Sequence, residues 1–308
     1  MKNNHSVFFI FAILLLFSCG EPVIPAYLVL SVEDFTNCID VSDYNSAHDQ
    51  NYDPKELDAI AQQNFTDVLV SLNGKELGYR QLPCTIPLLP NYSGRNNIRV
   101  IPCVRTPNTS TTTLQYPFVT PIEEFFEMQK EKEYQLSDFK LKYLSSVDFS
   151  VIETFEQSTD FIPRVPNEFP ATMEILYDKE LQKNIGSIIL VDSSVFFDIV
   201  TPYFPLQGNG ERQFWEISYN TTNGRMVTHL GFENSITMAG RDMVILPSTE
   251  GVWKKVYIDI TNTVREASYT ASQVSTRLRI TGIKNDASIG SEYFFENIKL
   301  ITMYAPYY

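Results

Sequence analysis

The chain of 308 residues contains few of the side chains that catalytic sites commonly use. It has three histidines, and only His48 and His229 lie beyond the first few residues. A Gly-x-Ser-x-Gly nucleophile motif, a His-Glu-x-x-His zinc motif and a glycine-rich phosphate-binding loop are all missing. We therefore expect no catalytic residues, no metal site and no cofactor, and we predict that the chain is not an enzyme.

Basic residues and long apolar runs are scarce too. The chain has 24 lysines and arginines against 37 aspartates and glutamates, which gives a net charge of −13. Such an acidic chain repels phosphate backbones, so we expect no nucleic-acid partner. The longest apolar run, from Val7 to Phe17, is shorter than the roughly 20 residues that a membrane-spanning helix needs. Membrane attachment would therefore require a lipid.

The N-terminus indicates where such a lipid would be attached. A short basic start and the apolar run lead into Leu16-Phe17-Ser18-Cys19. This pattern resembles the signal of bacterial lipoproteins, in which the cysteine is acylated and becomes the mature N-terminus. The resemblance implies a signal peptide over 1–18, lipidation of Cys19 and a tether over 19–26. It also implies anchoring in the outer membrane of a Bacteroidota-type cell, on a face that the sequence leaves open. A plain secretory signal is the alternative.

The other three of the four cysteines are an odd number in an oxidising compartment. Two apolar runs flank the turn-like segment 91–97, and Cys84 and Cys103 lie at equal distances from a point between Ser93 and Gly94. In a hairpin centred on this turn they would face each other. We therefore predict a Cys84–Cys103 disulfide, with Cys38 as an alternative partner and two buried thiols as the other possibility.

Composition and local pattern favour strands. The chain has 21 Phe and 17 Tyr besides many β-branched residues, and short runs of these residues alternate with Asn, Gly, Pro and Ser. The length suits two domains of ordinary size. We predict an all-β fold with an N-terminal β-sandwich over 27–146 and a C-terminal β-sandwich over 147–308.

The N-terminal part contains a hairpin pattern. A run of alternating valine and leucine that begins at Asp67 leads to Asn73-Gly74, the commonest two-residue hairpin turn, and further strand-like runs follow. Over about 66–105 this order resembles the small Ig-like sandwiches called PEGA domains. The resemblance implies a structural spacer.

The C-terminal part carries a second resemblance. Glu-x-Phe-Glu ends at Glu156, Trp-x-x-x-Tyr-Ile-Asp-Ile-Thr begins at Trp253, and Phe-Glu-Asn-Ile-Lys-Leu lies near the end. Over 150–303 this order resembles the jelly-roll domains of the carbohydrate-binding and galactose-binding-like group. The resemblance implies a binding domain in which the first and last strands pair. In related jelly rolls the matching positions often hold a structural calcium, for which Glu153 or Glu156 with Glu296 or Asn297 would be the ligands here; surface acids and an amide at a strand end are the alternative, which we favour.

Two tryptophans are candidates for stacking on a sugar ring. Trp253 begins a run of alternating apolar residues, so we expect it in the core. Trp215 follows a glycine-containing loop, and we predict that it contacts ligand together with Tyr203 and Phe204.

These observations predict a non-catalytic, lipid-anchored outer-membrane protein whose jelly roll contacts a glycan or a protein partner. One alternative is an accessory subunit of an outer-membrane complex for protein assembly, secretion or uptake, bound to a barrel protein. Another is a polysaccharide hydrolase whose carboxylates meet only in the fold. Glu153 and Glu156 are close in sequence, but their odd spacing on a strand directs them to opposite faces.

Overall fold

The computed structural model describes residues 24–107, 113–164, 171–191, 194–205, 210–234, 237–268 and 275–304. The predicted signal peptide and Cys19 lie outside these ranges. None of the helices within them is long and apolar enough to cross a membrane.

The N-terminal half consists of two small sheets and short helices. One sheet has the strand order β4-β1-β8, and the other has the order β3-β2-β5-β6 with β7 also paired to β5. The elements are β1 (Ala26–Leu30), a 3-10 turn (Glu33–Phe35), α1 (Tyr44–His48), α2 (Pro54–Ala61), β2 (Asp67–Leu72), β3 (Lys75–Gln81), β4 (Cys84–Leu88), β5 (Arg95–Arg105), β6 (Thr113–Gln115), β7 (Ile122–Glu127) and β8 (Glu133–Tyr134).

Local sequence signals account for two features of this half. Asn73 and Gly74 both adopt positive φ, 52° and 78°, and they join β2 to β3 as the Asn-Gly pattern predicts. Helix α2 begins with a capping box between Asp53 and Glu56 and with Pro54 in its first turn. These signals position α2, whose C-terminal end reaches the site described below.

The predicted Cys84–Cys103 disulfide is wrong. Cys84 lies on β4 opposite Leu30, whereas Cys103 lies on β5 opposite Asp67, so the two residues belong to different sheets. The chain crosses from one sheet to the other between β4 and β5, at 89–94, instead of folding back as a hairpin. Cys84, Cys103 and Cys38 are all free thiols. Burial raises the pKa of the Cys103 thiol to about 12, so it stays protonated at neutral pH.

The C-terminal half is a sandwich of two six-stranded sheets. The inner sheet has the order β11-β12-β20-β15-β18 with β9 on β20, and the outer sheet has the order β10-β13-β19-β16-β17 with β14 on β19. The elements are β9 (Val147–Glu153), β10 (Ile162–Pro163), β11 (Glu174–Asp178), β12 (Lys183–Leu190), β13 (Phe196–Val200), β14 (Phe204–Pro205), β15 (Gly210–Thr221), β16 (Gly224–Asn234), β17 (Thr237–Leu246), β18 (Lys254–Asp259), α3 (Thr261–Ser268), β19 (Ser275–Lys284) and β20 (Ser291–Tyr304).

The sandwich packs around one apolar core. Trp215 and Ile217 of the inner sheet face Phe197 and Ile280 of the outer sheet in this cluster. Within the outer sheet, Gly282 of β19 leaves room for the ring of its cross-strand partner Phe197, because a Cβ atom at Gly282 would lie 2.1 Å from that ring. The all-β prediction with a C-terminal jelly-roll sandwich is confirmed. The expected pairing of the first and last strands is also confirmed, because β9 and β20 are antiparallel neighbours.

The N-terminal half covers the inner sheet. Its apolar core continues into the C-terminal half through Phe214, Tyr257 and Ile301, which point away from the sandwich core. Successive side chains of a strand point to opposite faces, so Trp215 and Leu300, the sequence neighbours of Phe214 and Ile301, point into the sandwich core. At β15, β18 and β20 the inner sheet is therefore buried on both faces, whereas β11 at its edge stays exposed.

Candidate functional site

Trp215 does not lie on a surface, and the prediction that it contacts ligand is wrong. Its side chain is 0% exposed and packs between the sheets, with its ring centroid 5.7 Å from that of Phe204. Its neighbours across the inner sheet, Leu300 and Ile258, are also buried. Trp253 is half-buried and lines a surface cleft, so the expected core position is wrong as well.

Tyr203 and Phe204 lie at the rim of the outer sheet and face in different directions. Phe204 packs on Trp215 and contributes to the core. Tyr203 is half-buried, and the guanidinium of Arg277 lies 4.6 Å from the centroid of its ring. Both residues line a cavity of about 260 Å³. Of the three predicted ligand contacts, Tyr203 is the one that combines partial exposure with a charged neighbour.

Next to Tyr203, the outer sheet carries a network of one carboxylate and two guanidinium groups. Asp198 of β13 is 0% exposed, and it points away from the core because Phe197 and Ile199 point inward. Arg279 donates to both carboxylate oxygens of Asp198, at 2.7 and 2.9 Å, and Arg164 donates to one of them at 2.8 Å. Two cations share one anion, which leaves positive charge on this face.

The same face is open to solvent. Ile245 and Ile283 are 62% and 38% exposed. His229 shares a hydrogen bond of 3.0 Å with the Thr281 hydroxyl. We call this surface the open face and define it by the side chains that it presents: Asp198, Tyr203, His229, Arg277 and Arg279. An aromatic ring, hydrogen-bonding groups fixed in position and exposed apolar side chains suit the recognition of a polar ring compound.

The opposite side of the sandwich, where the N-terminal half docks, holds a buried ion cluster. Glu216 and Lys299 are both 0% exposed, with 3.1 Å between Oε2 and Nζ, and Nζ of Lys255 lies 3.5 Å from the same oxygen. Burial alone would raise the pKa of Glu216, but the two ammonium groups lower it to about 2. The carboxylate is therefore ionised at neutral pH.

Groups of the N-terminal half complete this cluster. The Tyr116 hydroxyl donates to Oε1 of Glu216 at 2.5 Å, and Nε2 of Gln63 donates to Oε2 at 2.9 Å. Lys299 donates to the Ala59 carbonyl at 2.7 Å, at the C-terminal end of α2, where a cation is favoured by the helix dipole. The sequence patterns above did not predict this cluster. Its only local signal is a charged residue, Glu216, inside a strand of aromatic and apolar residues.

A cleft lies beside this cluster, between the two halves. We call it the junction cleft; its volume is about 350 Å³. The residues that define it are Asn37, Gln62 and Asn64 of the N-terminal half and Ser218, Trp253, Lys254, Lys255 and Glu296 of the jelly roll. Because both halves supply walls, the cleft exists only when they are docked.

The carboxylates considered for catalysis or calcium have structural partners. Glu153 accepts hydrogen bonds from the backbone N–H groups of Phe155 and Asp160, at 2.8 and 3.0 Å. Glu156 pairs with Lys55 at 3.3 Å, and Glu296 pairs with Lys183. Within the described ranges, no group of three or more His, Cys, Asp and Glu side chains is arranged to hold a metal ion.

Comparisons with known proteins give distant structural likenesses. Neither a protein-family model nor a curated protein matches the chain. A structure of the CBM22-1 and GH10 modules of xylanase 10B from Clostridium thermocellum, complexed with xylohexaose, is 11% identical with a TM-score of 0.36; the match covers 52% of this chain and 29% of that one. The family 11 carbohydrate-binding module of the Clostridium thermocellum cellulase Lic26A-Cel5E is 13% identical with a TM-score of 0.34 and is covered over 100% of its length by 53% of this chain.

A third similar structure, a carbohydrate-binding module whose reported property is specific mannan recognition, is 11% identical with a TM-score of 0.30; the match covers 51% of this chain and 98% of that one. The chain thus spans less than a third of the xylanase structure but nearly all of the two separate modules. TM-scores this low carry no argument about function. The proposals below depend on the residues of this chain.

Proposed function

We propose that this chain is a non-catalytic, lipid-anchored glycan-binding protein of the outer membrane and that its jelly roll holds a saccharide on the open face. The observation that carries the proposal is the arrangement of Tyr203 and Arg277 beside the Asp198–Arg279 pair. A sugar ring offers C–H groups to an aromatic side chain and hydroxyls to guanidinium groups, and this face presents both kinds of partner within a few residues.

The position of the N-terminal half supports the same assignment. It covers the inner sheet through Phe214, Tyr257 and Ile301, so the outer sheet is the one whose second face stays accessible. We propose that this half is a PEGA-like spacer that holds the jelly roll away from the membrane. In that arrangement the open face would be available to extended glycans.

Removing Arg277 or Tyr203 should weaken glycan binding about tenfold, because each loss corresponds to about 1.4 kcal/mol of contact energy. The measurement is a screen of neutral polysaccharides followed by titration calorimetry on the best binder, with the wild type, Arg277→Ala and Tyr203→Ala. Tyr177→Ala is the matched control, since Tyr177 is a 58% exposed aromatic residue on the inner sheet.

Two results would count against the open face. One is a dissociation constant for Arg277→Ala and Tyr203→Ala equal to that of the wild type. The other is an equal loss in Tyr177→Ala, which would indicate general surface adhesion instead of a site.

The anchoring part of the proposal has its own test. Replacing Cys19 with alanine should move the protein from the membrane fraction to the soluble fraction, because the substitution removes the proposed lipid anchor. The measurement is fractionation of cells that express the wild type or Cys19→Ala, with Cys84→Ala as the control for loss of a cysteine elsewhere. Retention of Cys19→Ala in the membrane would contradict the lipid anchor.

A further inference from the structure

The junction cleft has an unbalanced charge. Lys255 is 7% exposed, and its ammonium contacts Glu216 and the Gln62 carbonyl. The Glu216 carboxylate is shared between two buried cations, since its Oε2 lies 3.1 Å from Nζ of Lys299 and 3.5 Å from Nζ of Lys255. A buried positive charge without a full partner is costly, and an anion in the cleft would relieve that cost.

The rest of the cleft supplies only one further carboxylate, which acts on Lys255 through space while it is paired with another lysine. Glu296, the acidic residue in its wall, is paired with Lys183 at 2.5 Å. Lys254 lies at the exposed rim and adds a further positive charge. The cleft is thus locally basic in a chain whose net charge is −13. This contrast favours a small anionic ligand over a cation.

The uncharged residues of the cleft wall indicate what kind of ligand molecule would bear the anionic group. Trp253 is half-buried and offers an indole surface, and Asn37, Asn64 and Ser218 add amide and hydroxyl groups around it. An aromatic surface together with several neutral hydrogen-bonding groups suits a polyhydroxylated ring more than a plain carboxylic acid. The volume of about 350 Å³ lies within the range of small-ligand sites.

We propose that the junction cleft is a second binding site, specific for an acidic saccharide, with the sugar ring against Trp253 and its carboxylate at Lys255 and Lys254. This site is separate from the open face and does not depend on it. It uses residues of both halves, so ligand binding would also hold the two halves together.

The protonation of Lys255 provides an independent readout. Burial and the neighbouring Lys299 lower the pKa of Lys255 to about 7 in the free protein. An anion binds the protonated form, so affinity should fall as the pH rises above that value. The charged and titratable groups around Lys255 are Lys299 and Glu296 on β20, Glu216 on β15, Lys183 on β12, and Lys254 and Tyr257 on β18.

The test is titration calorimetry of the full mature chain with trigalacturonate as the acidic probe and galactotriose as its neutral counterpart. The wild type should bind trigalacturonate at least tenfold more tightly than galactotriose at pH 6 and should lose at least fivefold in affinity for it between pH 6 and pH 8. Lys255→Met and Trp253→Ala should each weaken trigalacturonate binding at least tenfold. Arg277→Ala, the open-face variant, should bind it as the wild type does.

Thermal unfolding of each variant shows whether it is folded. If Lys255→Met does not fold, Trp253→Ala still tests the cleft. Equal affinity for the two trisaccharides, or no binding of trigalacturonate at millimolar concentration, would overturn the acidic-saccharide site. Loss of trigalacturonate binding in Arg277→Ala with both cleft variants unchanged would place the acidic sugar on the open face. That result would overturn this inference and leave the proposed function standing.

Discussion

Replacing Glu216 with alanine should lower the free energy of unfolding by about 3–5 kcal/mol, the usual cost of removing one partner from a buried ion pair. The substitution leaves Lys299, which is 0% exposed, without its carboxylate, and it removes the acceptor of Tyr116 and Gln63. Urea denaturation at pH 7 of the wild type and Glu216→Ala measures the difference.

A surface ion pair provides the matched control. Glu123 pairs with Arg99 at 3.4 Å, and both side chains are about half exposed, at 50% and 49%. Glu123→Ala should therefore cost less than about 1 kcal/mol. If Glu216→Ala costs no more than Glu123→Ala, the cluster does not support the junction of the two halves.

The pH dependence of the same cluster has a defined sign. The pKa of Glu216 is lowered to about 2 from its ordinary 4.5. Its contribution to stability is therefore present above about pH 4.5 and is lost as the pH falls through about 2. The difference in unfolding free energy between the wild type and Glu216→Ala should shrink over that interval, which urea titrations at several acidic pH values would measure.

Replacing Trp215 with alanine should cost about 3–5 kcal/mol of stability, whereas Trp253→Ala should cost less than about 1 kcal/mol. Trp215 is 0% exposed and fills the space between the two sheets beside Phe204, so its removal leaves a cavity that the sheets cannot close. Trp253 is half-buried at the cleft, so its removal leaves space that water can fill. Denaturant unfolding of the two variants measures both values.

The two substitutions are controls for each other, because they remove the same side chain from different environments. Fluorescence adds a second observable: the emission of Trp253→Ala, which keeps Trp215, should be at shorter wavelength than that of Trp215→Ala. Equal destabilisation by both substitutions would mean that the two tryptophans are similarly buried.

Several features of the fold follow from local sequence. The Asn73-Gly74 hairpin was predictable because its turn requires positive φ at both residues, a property of the two residues themselves. The all-β class was predictable because aromatic and β-branched residues recur in short runs. The pairing of β9 with β20 was predicted from a resemblance in motif order. Such a resemblance indicates which strands are neighbours, but it does not indicate what packs on the sheet that they form.

The faces of the strands were not predictable in the same way. Alternation shows that Trp215 and Glu216 point to opposite sides of β15, but it does not tell which side is the sandwich core. In most sheets with one covered face the charged residue would be outward and solvated. Here the N-terminal half covers that outward face, so Glu216 is buried as deeply as Trp215.

The sequence by itself therefore determined the strands, the main turn and the acidic character of the chain, since these depend on neighbouring residues and on composition. The tertiary structure decided the separation of Cys84 from Cys103, the ion cluster of Glu216, Lys255 and Lys299, and the junction cleft. Each of these depends on contacts between residues that are distant along the chain. Such contacts arise from the docking of whole sheets, and no local pattern of side chains encodes them.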